Sequence, residues 1–262
     1  MPSLPSASTT VESTAGAVAV GTDLICVWSP VSQNADCTPR QYGSASAIYA
    51  QHGYCEGVEY AALHIERTRK PVLFVGLPIA TPGVVGRENK SGNTGSSVTT
   101  ITAGSAGVLA EHDVVLTVVA GGTIGTSQII LSLSCDGGRT SQRVRLGVAS
   151  SLVVPYFGVT VSFAAGTLVA GDVIHTWHGT APKSNAAGWA LARAALAAQL
   201  KQVRSVLLVG DLIDSTEAGA FRDQLNAYDT SNERFVYGRA SLRDRLPLAI
   251  AANTTARMTG IP

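Results

Sequence analysis

The strongest constraint on this chain is an alternation of apolar strands and amphipathic helices that breaks off and later resumes. DLICVWSP (23–30) and PVLFVGLP (71–78) stand before the break; RSVLLVGDL (204–212) and RFVYGRA (234–240) stand after it. Short apolar runs without alternation read as strands buried on both faces. Helical periods connect them. SASAIYAQHG (44–53) opens on a capping Ser44 and stops at Gly53. GVEYAALHIERTRK (57–70) puts Val58, Ala61, Ala62 and Ile65 on one face and gathers Arg67, Arg69 and Lys70 in its last turn, where positive charge suits the helix dipole. After the break, Ser184 can cap a helix striped by Trp189, Ala192, Leu196 and Leu200. Asp214 and Glu217 then stand at capping-box spacing before the stripe Ala218, Phe221, Leu225 and Tyr228.

The intervening stretch has a different texture. TPGVVGRENKSGNTGSS (81–97) reads as a linker by composition. Beyond it HDVVLTVVAGG is an apolar strand closed by paired glycines. QIILSLSCDGGRTSQRVRLGV predicts a hairpin: Ile129, Leu131, Leu133 and Cys135 alternate with polar residues, Asp136-Gly137-Gly138 turns, and Val144, Leu146 and Val148 alternate again. GVTVSFAAG alternates through Val159, Val161 and Phe163. Half-buried antiparallel strands carry this signature. The expected fold is an α/β core with an inserted antiparallel β-sandwich or barrel-like module. Residues 17–85 and 183–262 form a discontinuous core domain, 86–182 the inserted β-rich domain, and the Ser/Thr/Pro-rich residues 1–16 a mobile arm.

Composition narrows the function classes. Charged residues make up 14% of the 262 positions, against about 25% in an average domain, and a weakly charged surface does little to keep copies apart. The formal net charge of +1 carries no nucleic-acid footprint. No stretch reaches the roughly 20 apolar residues of a membrane span, and the N-terminus lacks the basic region of a secretory signal. Cys26, Cys37, Cys55 and Cys135 have no C-x-x-C spacing and no histidine at zinc-finger spacing. They read as free, partly buried thiols, with a disulfide within or between subunits as the alternative and metal binding the weakest reading.

Candidate chemistry is sparse. FAAGTLVAGDVIHTWHGTAP (163–182) holds His175 and His178, with Asp172 upstream and Trp177 between them. Strand alternation puts Val173, His175 and Trp177 on one face and Ile174, Thr176 and His178 on the other, so the two imidazoles do not converge as metal ligands. GGTIG (121–125) lacks the helix of a dinucleotide fingerprint and reads as a turn; P-loop and nucleophile-elbow patterns are missing. LLVGDLIDS (207–215) is the best enzyme candidate, because Asp211, Asp214 and Ser215 follow a buried strand at the edge where open α/β sheets bind ligands. Its simpler reading makes Asp214 a helix cap and Asp211 a turn residue. His64 and His112 are isolated and read as surface residues. The sequence therefore assigns no catalytic, cofactor-binding or metal residue and predicts no enzyme and no cofactor.

Three stretches carry a family resemblance: DLICVWSPVSQNADCTPRQYGSASAIYAQHG, VEYAALHIERTRKPVLFVGLP, and VTVSFAAGTLVAGDVIHTWHGTAPKSNAAGWALARAAL. The last is similar to segments in which T-F-x-x-G-x-Y-x-x-G-D closes a β insertion and T-x-A-P introduces the next helix. In this order of elements the chain resembles the contractile tail sheath proteins of phages and phage-like particles. The resemblance implies a structural virion protein of the tail, assembled in the host cytoplasm. Its copies wrap a tail tube as a helical homo-oligomer and contract to drive the tube through a cell envelope. It implies as partners the tube protein and the baseplate and tail terminator proteins, without nucleic acid or membrane insertion. Sheath proteins of this type continue into a C-terminal portion that links subunits, whereas this sequence ends at ARMTGIP. In an oxidised particle Cys37 and Cys55, which lie in or beside loops, are the candidates for a cross-link. Two other classes stay open. One is an adhesin or receptor-binding β module using Tyr156, Phe157, Phe163 or Trp177, of which alternation buries at least Phe163. The other is an α/β hydrolase using Asp211, Asp214 and Ser215.

Overall fold

The computed structural model describes residues 24–154, 156–199, 203–212, 214–232 and 236–242. The predicted arm (1–16), the start of the RFVYGRA run, Leu200 and the C-terminal tail lie outside the described residues.

The first part of the chain contributes β1 (Leu24–Pro30), β2 (Arg40–Tyr42), α1 (Ala45–His52), α2 (Glu56–Thr68) and β3 (Val72–Leu77). The strands β4 (Val84–Asn89), β5 (Thr99–Ala103), β6 (His112–Ala120), β7 (Gly122–Thr123), β8 (Ile129–Ser134), β9 (Gln142–Gly147), β10 (Ser151–Val154), β11 (Val159–Phe163), β12 (Thr167–Leu168) and β13 (Val173–Thr180) follow. Then come α3 (Ala186–Ala197), β14 (Val203–Leu212), α4 (Ser215–Asn232) and β15 (Tyr237–Leu242).

The fold is mixed α/β. One sheet has the order β15-β14-β1-β3-β2, parallel except for β2. Its continuous apolar strands are buried on both faces, as their sequences require. Val27, Val72 and Phe74 meet Ile48 of α1 and Val58, Ala61, Ala62 and Ile65 of α2. On the opposite face Trp28, Leu73, Val75, Val206 and Leu208 meet Trp189 and Leu196 of α3 and Phe221, Leu225 and Tyr228 of α4. Each buried aliphatic or aromatic side chain of this kind contributes roughly 1.5–3 kcal/mol. Helix ends follow local chemistry. Ser44 accepts from the Ala47 amide, and Gly53 ends α1 at φ 69°. Asp214 accepts from the Glu217 amide at 2.9 Å, as the capping spacing predicts. At α3 the cap is Asn185, which accepts from the Gly188 amide, while the Ser184 hydroxyl instead accepts from Trp189 Nε1 at 2.8 Å.

Among the described residues, strands β4 to β13 pair only among themselves. A five-stranded antiparallel sheet, β4-β13-β6-β8-β9, faces a three-stranded one, β10-β11-β5. Val114, Leu116, Leu131 and Trp177 from the first share one core with Leu152, Val159, Val161 and Phe163 from the second. The β8–β9 hairpin forms across the predicted turn, although Val148 falls beyond β9 and is exposed. The linker expected at 81–97 is partly a strand. Val84–Asn89 has a mostly exposed pattern without clear alternation, which conceals its role as the edge strand paired with β13.

Entry to and exit from this β region run side by side. Thr81 and Lys183 form an antiparallel bridge, with Lys183 N donating to Thr81 O at 2.9 Å and Thr81 N to Lys183 O at 3.1 Å. At this neck two loops touch backbone to backbone. A Cβ on Gly83 would lie 1.9 Å from the Val108 carbonyl oxygen, and one on Gly107, at φ +72°, would lie 1.9 Å from that of Gly83.

Candidate functional site

In an open parallel sheet, the place for a ligand is the carboxyl edge between neighbouring strands whose connections leave over opposite faces. Here those strands are β1, which leads to α1 and α2, and β14, which leads to α4. The crevice between Ser29-Pro30 and Val209-Gly210 is not open. Leu109, Ala181 and Pro182 from the neck of the β region close over it, leaving a space of about 10 Å³, about the room for a single water. Below it, α2 begins so close to β1 that a Cβ on Gly57 would fall 2.2 Å from the Ser29 side chain. The Glu56 carboxylate at the start of α2 accepts the Glu111 amide at 2.6 Å. This ties the α/β layer to the β region and places negative charge at the positive end of the helix. A neighbouring cleft of about 200 Å³ is lined by Glu56, Glu111, Thr81, Lys183 and Gly210, among others. The crevice between β1 and β14 is thus closed by the chain itself, and the open space lies beside it.

The residues expected to form a hydrolase site follow one another along the end of β14 and the start of α4. Asp211 lies within β14, where its backbone pairs with Ser241. Asp214 is exposed and engaged as the α4 cap, and Ser215 is the exposed first residue of that helix.

The histidines separate as the spacing predicts, but a bulge alters the faces. His175 is fully buried, with Nε2 3.0 Å from Glu88 Oε2 of β4. His178 is half-exposed, with Nδ1 2.6 Å from Asp113 Oδ1 of β6. A register shift between Val173 and His175 breaks the alternation, so Ile174 enters the same core as Trp177 rather than the opposite face. Among the described residues no group of three or more His, Cys, Asp or Glu side chains could hold a metal ion. His112, expected at the surface, is buried. Its Nδ1 lies 2.7 Å from Ala110 O, and its ring packs 3.9 Å from that of Phe157. Burial holds His52, His112 and His175 below the usual imidazole range.

The four cysteines are free thiols. Cys37 is buried on the α3/α4 side of the sheet and Cys55 on the α1/α2 side, beside Ser29. The pair named for a cross-link thus packs in separate cores on the two faces of the sheet.

A second feature of the junction joins two of the aromatics considered for an adhesin site to two tyrosines that the sequence did not single out. Tyr49 and Tyr54 of the α/β part meet Tyr156 and Phe157 of the β10–β11 turn. The ring centroids of Tyr49 and Tyr54 are 6.4 Å apart and nearly parallel. Tyr54 lies 5.1 Å from Tyr156 and 6.2 Å from Phe157. The Tyr54 hydroxyl donates to Glu59 Oε2 at 2.6 Å, and burial followed by this bond pushes its pKa upward. Of the aromatics weighed for an adhesin site, Phe163 and Trp177 are core residues, whereas Tyr156 is 68% exposed.

These features define a class: an α/β sheet interrupted after its third strand by a β-sandwich that returns through a two-stranded neck. The chain is structurally similar to the sheath tail protein of Listeria innocua, at 11% identity and a TM-score of 0.38, over 87% of this chain and 50% of that one. It is also similar to the sheath tail protein of Desulfitobacterium hafniense, at 12% identity and a TM-score of 0.35, over 82% of this chain and 48% of that one. The chain thus spans about half the length of these relatives. No family model and no curated protein matches its sequence.

Proposed function

We propose that this chain is a structural, non-enzymatic subunit of a contractile tail sheath. Residues 17–85 and 183–262 act as one α/β domain and 86–182 as an inserted β domain. The observation that carries the reading is the neck. The segment GDVIHTWHGTAPKS, which resembles the insertion-closing stretch of sheath proteins, runs through β13 into the Thr81–Lys183 bridge and then into α3. Two chain crossings joined by backbone hydrogen bonds, with Glu56 tied to Glu111, make the two parts move together. This is what rigid-body repacking of subunits during contraction demands. Heterologous contacts between such subunits build an open helical array around a tail tube. Tube, baseplate and terminator proteins are then its neighbours in a virion tail. Among the described residues no helix is long and apolar enough to cross a membrane.

Negative-stain electron microscopy of the concentrated protein, with and without a tail tube protein, tests the reading. Tubes or stacked rings are expected. A monodisperse monomer under both conditions, by microscopy and light scattering, overturns it.

A further inference from the structure

The Tyr49–Tyr54–Tyr156 cluster lines a cleft of about 640 Å³, together with Gly53 and Glu59. Its size falls within the range of ligand-binding sites. Tyr156 is 68% exposed and Tyr49 36%, so two large aromatic groups present area to solvent at one place. Tyr156 also holds a left-handed backbone, φ 69°, a conformation unusual for a bulky residue. The charged groups around the phenols are acidic. Glu59 and Glu66 act on Tyr49, and Glu59 and Glu56 act on Tyr54.

These chemistries select the occupant. Aromatic faces carry negative charge density and attract cations, most strongly where carboxylates stand beside them. An anionic group would meet the Glu59 carboxylate, and a purely apolar one would desolvate it without compensation. A planar guanidinium can stack on a phenol ring while donating to the carboxylate.

We propose that the cleft between Tyr49, Tyr54, Tyr156 and Glu59 is a docking site for the guanidinium or ammonium group of a basic side chain on a partner polypeptide. The proposal does not depend on the sheath reading. A sheath subunit and an unrelated structural protein would use such a site alike.

The test titrates the intact protein with N-acetylarginine amide while amide resonances of residues 53–59 and 156–158 are followed by NMR. N-acetylcitrulline amide, neutral and of the same shape, is the control. Saturable shifts with arginine and none with citrulline are expected. Tyr156→Ala and Glu59→Gln should each weaken binding roughly threefold or more, the scale of an exposed cation–π contact. Tyr60→Ala, on the same helix and 46% exposed but outside the cleft, should leave it unchanged. Equal shifts with citrulline, an affinity untouched by Tyr156→Ala and Glu59→Gln, or binding of a neutral hexose in place of arginine would overturn the proposal. Spectra of each variant outside the cleft report that it folds.

Discussion

Replacing Gly83 by alanine should destabilise the protein far more than the same change at Gly104. The added Cβ at 83 would sit 1.9 Å from Val108 O and 2.5 Å from Thr180 O, both backbone atoms. Reaching an ordinary contact distance of 3.4 Å means parting the two loops of the neck. That movement stretches the bonds Gly83 N to Ala106 O and Val108 N to Gly83 O, each 3.2 Å long. Two lost hydrogen bonds cost about 1 kcal/mol each, and forcing a group into a filled space costs about 1–3 kcal/mol more. The expected loss is therefore roughly 3–5 kcal/mol, or on the order of 10 °C in Tm for a chain of this size. A Cβ on Gly104 meets nothing within 4 Å, so that variant should stay within about 0.5 kcal/mol of the parent. Urea unfolding followed by tryptophan fluorescence is the assay. Trp28 and Trp189 report on the α/β core and Trp177 on the β region, so single-tryptophan backgrounds show which part loosens first. If the two alanine variants unfold at the same midpoint, the neck is not held by this close approach and the coupling argued from it fails.

Acid should weaken the fold in a defined window. Because burial lowers His52, His112 and His175, the unfolded chain binds more protons than the folded one below the usual imidazole value of about 6.5. Their contribution is complete above that pH and is lost as pH falls through it toward the lower folded values. Urea midpoints at about pH 7.5 and pH 5.5 should show the drop, and His112→Phe should flatten it; an unchanged slope would remove His112 from the account. Asp214→Ala should cost about 1 kcal/mol by loss of the cap, read by thermal melting; a much larger loss would give Asp214 a role beyond capping. Thiol titration should modify Cys135, the partly exposed one, before Cys26, Cys37 and Cys55, since burial pushes Cys26 up to about 12. Migration on gels should be the same with and without reductant, and a shift would point to a cross-link, with Cys37 and Cys55 the first candidates.

Much of the architecture was legible from short-range patterns. Continuous apolar runs named β1, β3 and β14, the 3.6-residue stripes named α2, α3 and α4, and Asp136-Gly137-Gly138 named the β8–β9 turn. The misses share one cause. Val84–Asn89 looks like a linker because it is short, lies in a Gly/Ser/Asn-rich stretch and is mostly exposed, yet it is a strand because β13 offers it a ladder. Ile174 changes side because the register with β6 slips beside it. His112 is buried because Phe157, distant in sequence, lies over it.

The sequence by itself determined the type and order of the strongly patterned elements, and the break that makes one sheet from two separated stretches. These follow from periodicity and turn chemistry, which neighbouring residues settle among themselves. Only the tertiary structure decided what the junction contains. It closed the carboxyl-edge crevice, tied Glu56 to Glu111, divided Cys37 from Cys55 by a sheet, and brought Tyr49, Tyr54 and Tyr156 to one cleft. Each of these depends on strand register and layer packing between distant segments, and a one-residue slip in register exchanges the faces on which side chains appear.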